Sequence, residues 1–256
     1  MSEKPLILVT NDDSIEAKGI ASLVEAVAPL GDIVVVAPDK VQSGKGHAIT
    51  IHEPLRLKKS NIFLGVESYT CSGTPVDCVK LGIYEILHQR PTILVSGVNH
   101  GSNAATNVLY SGTMSAAVEG AIEGIPSIGF SLLDYHADAD FDASMHYANE
   151  ITEQVIKNGL QKGVCLNVNI PKGTLKELNG MKICRQGRAY WEDSFDKRQD
   201  PFGGDYYWLT GDYTFTDKGE DTDLWALAHN YVSVVPTQFD MTAHHLISNL
   251  NEEWDI

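Results

Sequence analysis

The sequence is short of positive charge. Its 256 residues include 19 Lys and Arg against 34 Asp and Glu, which gives a formal net charge of −15. A surface with so few basic groups is unsuited to long nucleic acids or anionic membranes, so neither is expected as a partner. An anionic substrate would then need positive charge from another source, such as a bound metal ion.

Long apolar runs and paired cysteines are missing as well. No stretch approaches the roughly 20 apolar residues of a membrane span. The first apolar run stops at Asn11, too early for the core of a signal peptide. Because no cysteine belongs to a C-x-x-C pair and each lies in or beside an apolar segment, we predict buried thiols in a reducing, cytoplasmic compartment. These are Cys71, Cys78, Cys165 and Cys184.

Three common sequence motifs are also absent. The chain has no G-x-x-x-x-G-K-[ST] loop, no G-x-G-x-x-G after the first apolar run, and no H-E-x-x-H pair. These absences argue against a P-loop enzyme, a dinucleotide dehydrogenase and a zinc hydrolase of that type.

The most informative stretch present is Leu6–Thr10 followed by Asn11, Asp12 and Asp13. A short unbroken apolar run is typical of a strand covered on both faces of a parallel sheet. Ligands of open α/β sheets bind at the carboxyl ends of such strands. Two carboxylates that converge there repel each other unless a cation lies between them, and hard divalent cations prefer oxygen ligands. The alternative is that Asp12 or Asp13 only caps the following helix.

Strands and helices alternate along most of the chain, which predicts one α/β domain over residues 1–256 with a doubly wound, mostly parallel sheet. After the first strand, the predicted strands are 33–37, 48–51, 62–70, 93–96, 127–132, 164–170 and 231–237. The predicted helices are 19–30, 75–86, 114–123, 142–158, 223–230 and 242–249.

Three further segments follow strands or begin helices and are candidates for the same site. Gly97–Asn107 is rich in amides, which can coordinate a cation or donate to a phosphate. Ser43–His47 has two glycines that permit close approach to a ligand, with a plain flexible turn as the alternative. The sequence Ser111-Gly112-Thr113 opens a helix, where free N–H groups can bind an anion, with an ordinary cap as the alternative.

Two histidines and a lysine in these loops are further candidates. His47 and His100 are placed for proton transfer, and a supporting or surface role is the alternative for each. Lys45 is a candidate phosphate contact, and an exposed surface lysine is its alternative.

The C-terminal third has a different composition. Residues 182–216 interleave aromatic and charged side chains, and the segments 206–209 and 212–216 on either side of Gly211 predict a hairpin or extended arm. Aromatic side chains on a projecting arm indicate a subunit interface or a surface for stacking a base, whereas packing into an internal core is the alternative. The acidic stretch 217–223 is predicted to be a solvated turn.

The motifs form one ordered set: V-T-N-D-D, A-P-D-x-x-x-S-G-x-G-H, S-G-T-P-x-D-C-V, S-G-V-N-x-G-x-N and V-L-Y-S-G-T. This set resembles the SurE (survival protein E) family of metal-dependent 5′-nucleotidases, most strongly from Leu6 to Ser131. The resemblance implies a Rossmann-like core, a nucleoside monophosphate substrate and one Mg²⁺ or Mn²⁺ per subunit. It also implies homodimers or homotetramers built partly through an exchanged C-terminal arm.

The resemblance implies roles for single residues too. The matched metal ligands are Asp12, Asp13, Ser43 and Asn99, and Ser43 also counts among the substrate contacts. The matched phosphate cradle is Asn11, Asn103, Ser111, Gly112 and Thr113, with Asp12, Asn103 and Ser111 as the expected catalytic groups. Ser14 departs from the family, which usually has glycine there. If that position requires positive φ, serine costs about 1 kcal/mol and leaves the ligands untouched.

The reaction expected from the resemblance is hydrolysis of nucleoside 5′-monophosphates, and it allows 3′-monophosphates and short polyphosphates as well. A phosphatase that forms an aspartyl-phosphate is a rival, although that chemistry favours a D-x-D spacing and here the aspartates are adjacent. A non-catalytic nucleotide-binding or sensor domain is the other rival, and it predicts binding without metal and without phosphate release.

Overall fold

The computed structural model of the protein describes residues 4–254. The strands are β1 (Leu6–Thr10), β2 (Asp32–Pro38), β3 (Leu57–Ser60), β4 (Glu67–Cys71), β5 (Ile93–His100), β6 (Ser127–Leu132), β7 (Val164–Ile170), β8 (Met181–Ile183), β9 (Ala189–Gln199), β10 (Asp205–Phe215) and β11 (Val232–Gln238). The α-helices are α1 (Lys18–Val27), α2 (Pro75–Leu81), α3 (Gly112–Ile122), α4 (Asp142–Asn158), α5 (Asp223–Ala228) and α6 (Ile247–Trp254). Short 3₁₀ turns cover Ala105–Leu109 and His244–Leu246, and a π-helical turn covers Gly82–Leu87.

The central sheet has the order β3-β4-β2-β1-β5-β6-β7-β11-β8. The run from β4 to β7 is parallel, and its six strands, counted along the chain, stand in the order 3-2-1-4-5-6. This is the strand order of the Rossmann fold, so the predicted doubly wound, mostly parallel sheet is confirmed. The order reverses between β1 and β5, which is where such sheets open a crevice for ligands.

Helices cover both faces of β1, which explains why its apolar run is unbroken. Ile7 and Val9 are fully buried in the layer that contains α1 and α4. Leu8 points to the opposite layer and packs in the cluster with residues of α2 and α3. With apolar residues buried on both faces, β1 is held firmly and the polar residues that follow it are presented at the sheet edge.

Two predicted strands need correction. Residues 48–51 form no strand, because their backbone is bonded to α2: Thr74 Oγ1 donates to Ala48 O at 2.7 Å and Thr50 N donates to Asp77 Oδ1 at 3.1 Å. The predicted strand 62–70 begins only at Glu67. Its antiparallel partner β3 was not predicted, since an edge strand with consecutive lysines lacks the apolar pattern of a buried strand.

The predicted hairpin is present, but its turn does not lie at Gly211. β9 pairs with β10 over their full lengths, and the turn lies at Asp200–Gly204. Gly211 stands within β10 opposite Asp193, where a Cβ atom would lie 2.6 Å from Glu192 O. The glycine therefore marks close approach of two backbones and not a turn. That this hairpin joins subunits, and that the chain forms one domain, remain predictions.

The remaining elements lie near their expected places. The bounds predicted for β6, α4 and β7 agree with the structure, and the last predicted helix begins as a 3₁₀ turn and continues further, as α6. All four cysteines are buried free thiols, as predicted. None of the helices found in residues 4–254 has the length and apolar character needed to cross a membrane.

Candidate active site

The two aspartates lie at the reversal point of the sheet, directly after β1. The chain turns sharply there, because Ser14 has φ 83° and Asn11 Nδ2 donates to Ser14 O at 2.7 Å. Helix α1 begins only at Lys18, with Ala17 as its N-cap. Neither aspartate caps α1, so the capping alternative is excluded.

Asp12 is held against the first turn of α3. Its side chain is buried, and Thr113 Oγ1 donates to Asp12 Oδ1 at 2.5 Å. A Cβ atom on Gly112 would lie 2.7 Å from Asp12 Cβ, so only glycine permits this approach. Ser111 is the N-cap, and its Oγ accepts a hydrogen bond from Met114 N at 3.0 Å. The Asp12 carboxylate therefore lies directly against the N-terminus of α3.

The electrostatics at this contact favour a proton or a cation on Asp12. Burial, with a smaller contribution from neighbouring Asp13, raises the pKa of Asp12 to about 6, while the hydrogen bond from Thr113 opposes the rise. Burial makes the ionised carboxylate less stable than a solvated one, so a positive charge nearby stabilises it. The site is therefore suited to a cation.

Asp13 joins the loop after β2 to the last residue of β5. Ser43 Oγ donates to Asp13 Oδ1 at 3.2 Å, and His100 N lies 3.5 Å from Asp13 Oδ2. Gln42 N also donates to Asp12 O at 2.7 Å, which fixes the start of the loop that carries Ser43. Three segments distant in sequence thus meet at the carboxylates.

Asn99 has an oxygen to offer in the same region. Its Nδ2 donates to the carbonyl oxygens of His100 and Gly101 at 3.1 Å and 2.9 Å. Because these two hydrogen bonds use the nitrogen, Oδ1 is the atom available for a cation. Asn11 Oδ1 is buried and has no hydrogen-bond partner among the described residues.

These donors fit a hard divalent cation better than zinc. Among residues 4–254, no group of three or more His, Cys, Asp or Glu is placed to hold a metal. The oxygens of Asp12, Asp13, Ser43 and Asn99 are the type of ligand that Mg²⁺ and Mn²⁺ take.

Asn103 is a predicted site residue whose hydrogen bonds lead away from the carboxylates. Its Nδ2 donates to Ser131 Oγ at 2.8 Å, and its backbone N–H donates to Asn169 Oδ1 at 2.8 Å. Asn167 Nδ2 in turn donates to Asn103 O at 2.8 Å. A chain of buried amides from β7 therefore supports the loop. In the sequence, Asn167 and Asn169 alternate with apolar residues, a pattern that indicates a polar strand face but not its burial.

The two candidate histidines, His47 in a loop and His100 at the end of β5, have different surroundings. His47 Nε2 lies 2.8 Å from Glu119 Oε2 on α3, and neither the sequence motif nor its spacing indicated this partner. His100 Nδ1 lies 3.2 Å from Asp134 O, and its ring meets Phe141 edge-on at 5.1 Å. Lys45 is exposed.

The structural role of Asp223 was not predicted, because this residue ends an acidic stretch of the kind that is usually solvated. The prediction of a solvated turn is wrong at this residue, which is fully buried. Its carboxylate accepts hydrogen bonds from Ala105 N and Gly187 N, both at 2.8 Å. Asp223 thereby ties the amide-rich loop to the segment that leads into β9.

A cleft of about 630 Å³ opens beside the helix N-terminus, between the 3₁₀ turn Ala105–Leu109 and the hairpin. Trp191 Nε1 donates to Asn107 Oδ1 at 3.0 Å and Thr106 Oγ1 donates to Ala189 O at 2.6 Å, so the two walls are fastened together. The lining includes Leu109, Tyr110, Tyr190, Trp191 and Leu209.

Known proteins match this chain over almost its whole length. The family model described as Survival protein SurE matches residues 7–193. A protein of Flavobacterium psychrophilum named 5′-nucleotidase SurE is 60% identical over 254 residues, covering 99% of this chain and 98% of the relative. A protein of the same name from Flavobacterium johnsoniae is 59% identical over 250 residues, covering 97% and 96%. The crystal structure of the SurE protein from Aquifex aeolicus is 38% identical and superimposes with a TM-score of 0.84, covering 98% of this chain and all of that one.

Proposed function

Because this chain belongs to the survival protein SurE family, we propose that it is a 5′-nucleotidase that hydrolyses nucleoside 5′-monophosphates to nucleoside and phosphate. The observation that carries the proposal is the contact of the Asp12 carboxylate with Gly112 and Thr113. This contact supports the proposal because carboxylates that suit a cation lie beside a helix N-terminus that suits an anion, as hydrolysis of one phosphate group requires. The family does not favour the non-catalytic alternative.

We assign the cation to Asp12, Asp13, Ser43 and Asn99, and its identity to Mg²⁺ or Mn²⁺, with one ion per subunit. When bound, such an ion would supply a Lewis acid that offsets the phosphate charge and acidifies water. The two carboxylates would neutralise a dication, so an anionic substrate would still be accepted.

We assign the phosphate to the first turn of α3. Ser111 Oγ already accepts a bond from Met114, which leaves its own proton free to donate to a phosphate oxygen. The free N–H groups of this turn would hold charge on the equatorial oxygens as water attacks in line. Asp12 is our choice for taking the proton of that water. We place Asn103 as a support of the loop, because its Nδ2 is already bonded to Ser131.

We place the nucleoside in the cleft beside α3, since Tyr110 lines the cleft and directly precedes Ser111. Aromatic faces such as that of Trp191 stack on any base. Broad tolerance of the base is therefore expected, and Trp191→Ala should raise KM for each nucleotide while changing kcat less. The control is Trp254→Ala, which removes an exposed tryptophan from α6.

The decisive experiment measures phosphate release from nucleoside 5′- and 3′-monophosphates and short polyphosphates with Mn²⁺, Mg²⁺ or EDTA. We expect release from the 5′-monophosphates that requires metal, stops in EDTA and is abolished by Asp12→Asn or Asp13→Asn. Nucleotide binding by the folded protein without release under any condition would overturn the proposal. Trapping of a phosphorylated aspartate would replace direct attack by water with a covalent mechanism.

We further propose that the protein is cytoplasmic and acts as a homodimer or homotetramer. Support comes from the hairpin, where Phe195, Trp208 and Leu209 expose 66%, 59% and 64% of their surface. Apolar surface of this extent is typical of a subunit contact. Sedimentation equilibrium tests the assembly, and a monomer at micromolar concentration would contradict it.

A further inference from the structure

The face of α3 that begins at the proposed phosphate site also carries a buried polar residue, Glu119. Gly112 contacts Asp12 at the start of the helix, and Glu119 lies seven residues later, two turns along the same face. Glu119 is buried at 3% exposure, although nothing in the proposed reaction uses it. A buried carboxylate requires partners, so its partners indicate what it is for.

Each oxygen of Glu119 has its own cationic or hydrogen-bonding partner. Lys80 Nζ of α2 lies 2.5 Å from Oε1, and His47 Nε2 lies 2.8 Å from Oε2. Burial raises the pKa of Glu119, but the bonds from His47 and Lys80 together outweigh it and hold the pKa below its ordinary value. Glu119 is therefore an ionised anchor. Lys80 fastens it to the neighbouring helix, and His47 fastens it to a loop.

That loop carries the candidate ligand Ser43, and its free part is short. Gln42 N is bonded to Asp12 O on one side. On the other side, Gly46 N donates to Tyr110 O at 3.2 Å, a long hydrogen bond, and His47 follows. Residues Ser43, Gly44 and Lys45 between these anchors are exposed. The position of Ser43 thus depends on how firmly the second anchor is held, because a longer free loop has more entropy to lose.

We infer that His47 is a positioning residue for Ser43: its bond to the Glu119 anchor closes the loop onto α3 and sets the Ser43 hydroxyl at the cation site. The inference rests on the proposed function of that site. With this role for His47, α3 supports both parts of the candidate site. Gly112 lies at the phosphate-binding turn, and Glu119 holds the loop that carries the cation ligand Ser43. In this role His47 needs no contact of its own with substrate or ion.

The test compares His47→Ala, His47→Gln and wild type by direct titration with Mn²⁺, followed by the metal dependence of phosphate release. Loss of a group that orients a ligand weakens metal binding by about 10-fold. We expect His47→Ala to raise the Kd for Mn²⁺, and the Mn²⁺ concentration for half-maximal rate, by about that factor, with kcat at saturating Mn²⁺ within about twofold. His47→Gln can still donate to Glu119 and should recover most of the affinity.

The matched control is His52→Ala, which removes the same side chain from an exposed position five residues further along the chain. It should bind Mn²⁺ as the wild type does. Equal Mn²⁺ affinity in wild type and His47→Ala would overturn the inference, as would equal weakening in His47→Ala and His47→Gln. Because Mn²⁺ binding is measured directly, the role of His47 is tested even if the protein hydrolyses no nucleotide. Absence of hydrolysis with normal Mn²⁺ binding would count against the proposed function alone.

Discussion

Asp12→Asn should stabilise the metal-free protein while it abolishes turnover. Folding raises the pKa of the Asp12 carboxyl from 3.8 to about 6, chiefly by burial. The folded state therefore binds this proton more tightly than the unfolded chain, and this group lowers stability as the pH rises from about 4 to about 6. Below that window the carboxyl is protonated in both states, and above it the full penalty applies.

The size of the effect follows from the shift. At 1.36 kcal/mol for each pKa unit, the penalty above pH 6 is about 3 kcal/mol. Asparagine never ionises, and its oxygen can still accept the hydrogen bond from Thr113. A domain of this length gains roughly 2–4 °C for each kcal/mol, so the melting temperature in EDTA at pH 8 should rise by about 6–12 °C.

Thermal unfolding followed by circular dichroism in EDTA at pH 4 and pH 8 measures this gain. It should be present at pH 8 and absent at pH 4, and excess Mn²⁺ should reverse the order, because only the wild type binds the ion tightly. The control Asp138→Asn removes an exposed carboxylate and should change little at either pH. An Asp12→Asn variant no more stable than wild type at pH 8 would refute the reasoning.

Three further predictions concern neighbouring residues. Ser14→Gly should raise the free energy of unfolding by about 1 kcal/mol, because φ is 83° at Ser14, and should leave kcat unchanged. Urea titration measures the gain, and an equal gain in Ser14→Ala would trace it to the hydroxyl instead. Gly112→Ala should lower kcat about 100-fold, since its Cβ would lie 2.7 Å from Asp12 Cβ and force the carboxylate out of place. Thr113→Val should move the pH dependence of Mn²⁺ binding to higher pH, because the hydrogen bond that lowers the pKa of Asp12 is lost, and Thr113→Ser should not.

The parts of the fold that could be predicted are those with a strong local pattern. β1 is apolar on both faces because helices cover both sides, so the end of the strand and the candidate residues beyond it could be located from Leu6–Asp13 alone. The polar edge strand β3 and the register of β9 with β10 depend on partners far along the chain. A local reading of Gly211 therefore placed the turn wrongly.

The same distinction holds for the site. Asp12, Asp13 and Ser43 follow strands that end at one edge, and parallel topology brings such residues together. Glu119 and Asp223 are different, because a carboxylate on a helix or in an acidic stretch is normally solvated. Their burial arises from tertiary contacts with His47, Lys80 and Ala105, which no nearby pattern in the sequence announces.

The central place of β1 in the sheet has a consequence for how the chain folds as it is synthesised. β1 precedes β5 by more than eighty residues, yet the two strands are neighbours in the sheet, with Ile7 opposite Ile93. A parallel pairing over that separation must wait until the intervening chain has emerged, and such long-range contacts form slowly. The helix that covers Asp12 is made later still. The two carboxylates are therefore made before β5 and α3, and they stay open to solvent until both elements have folded against them.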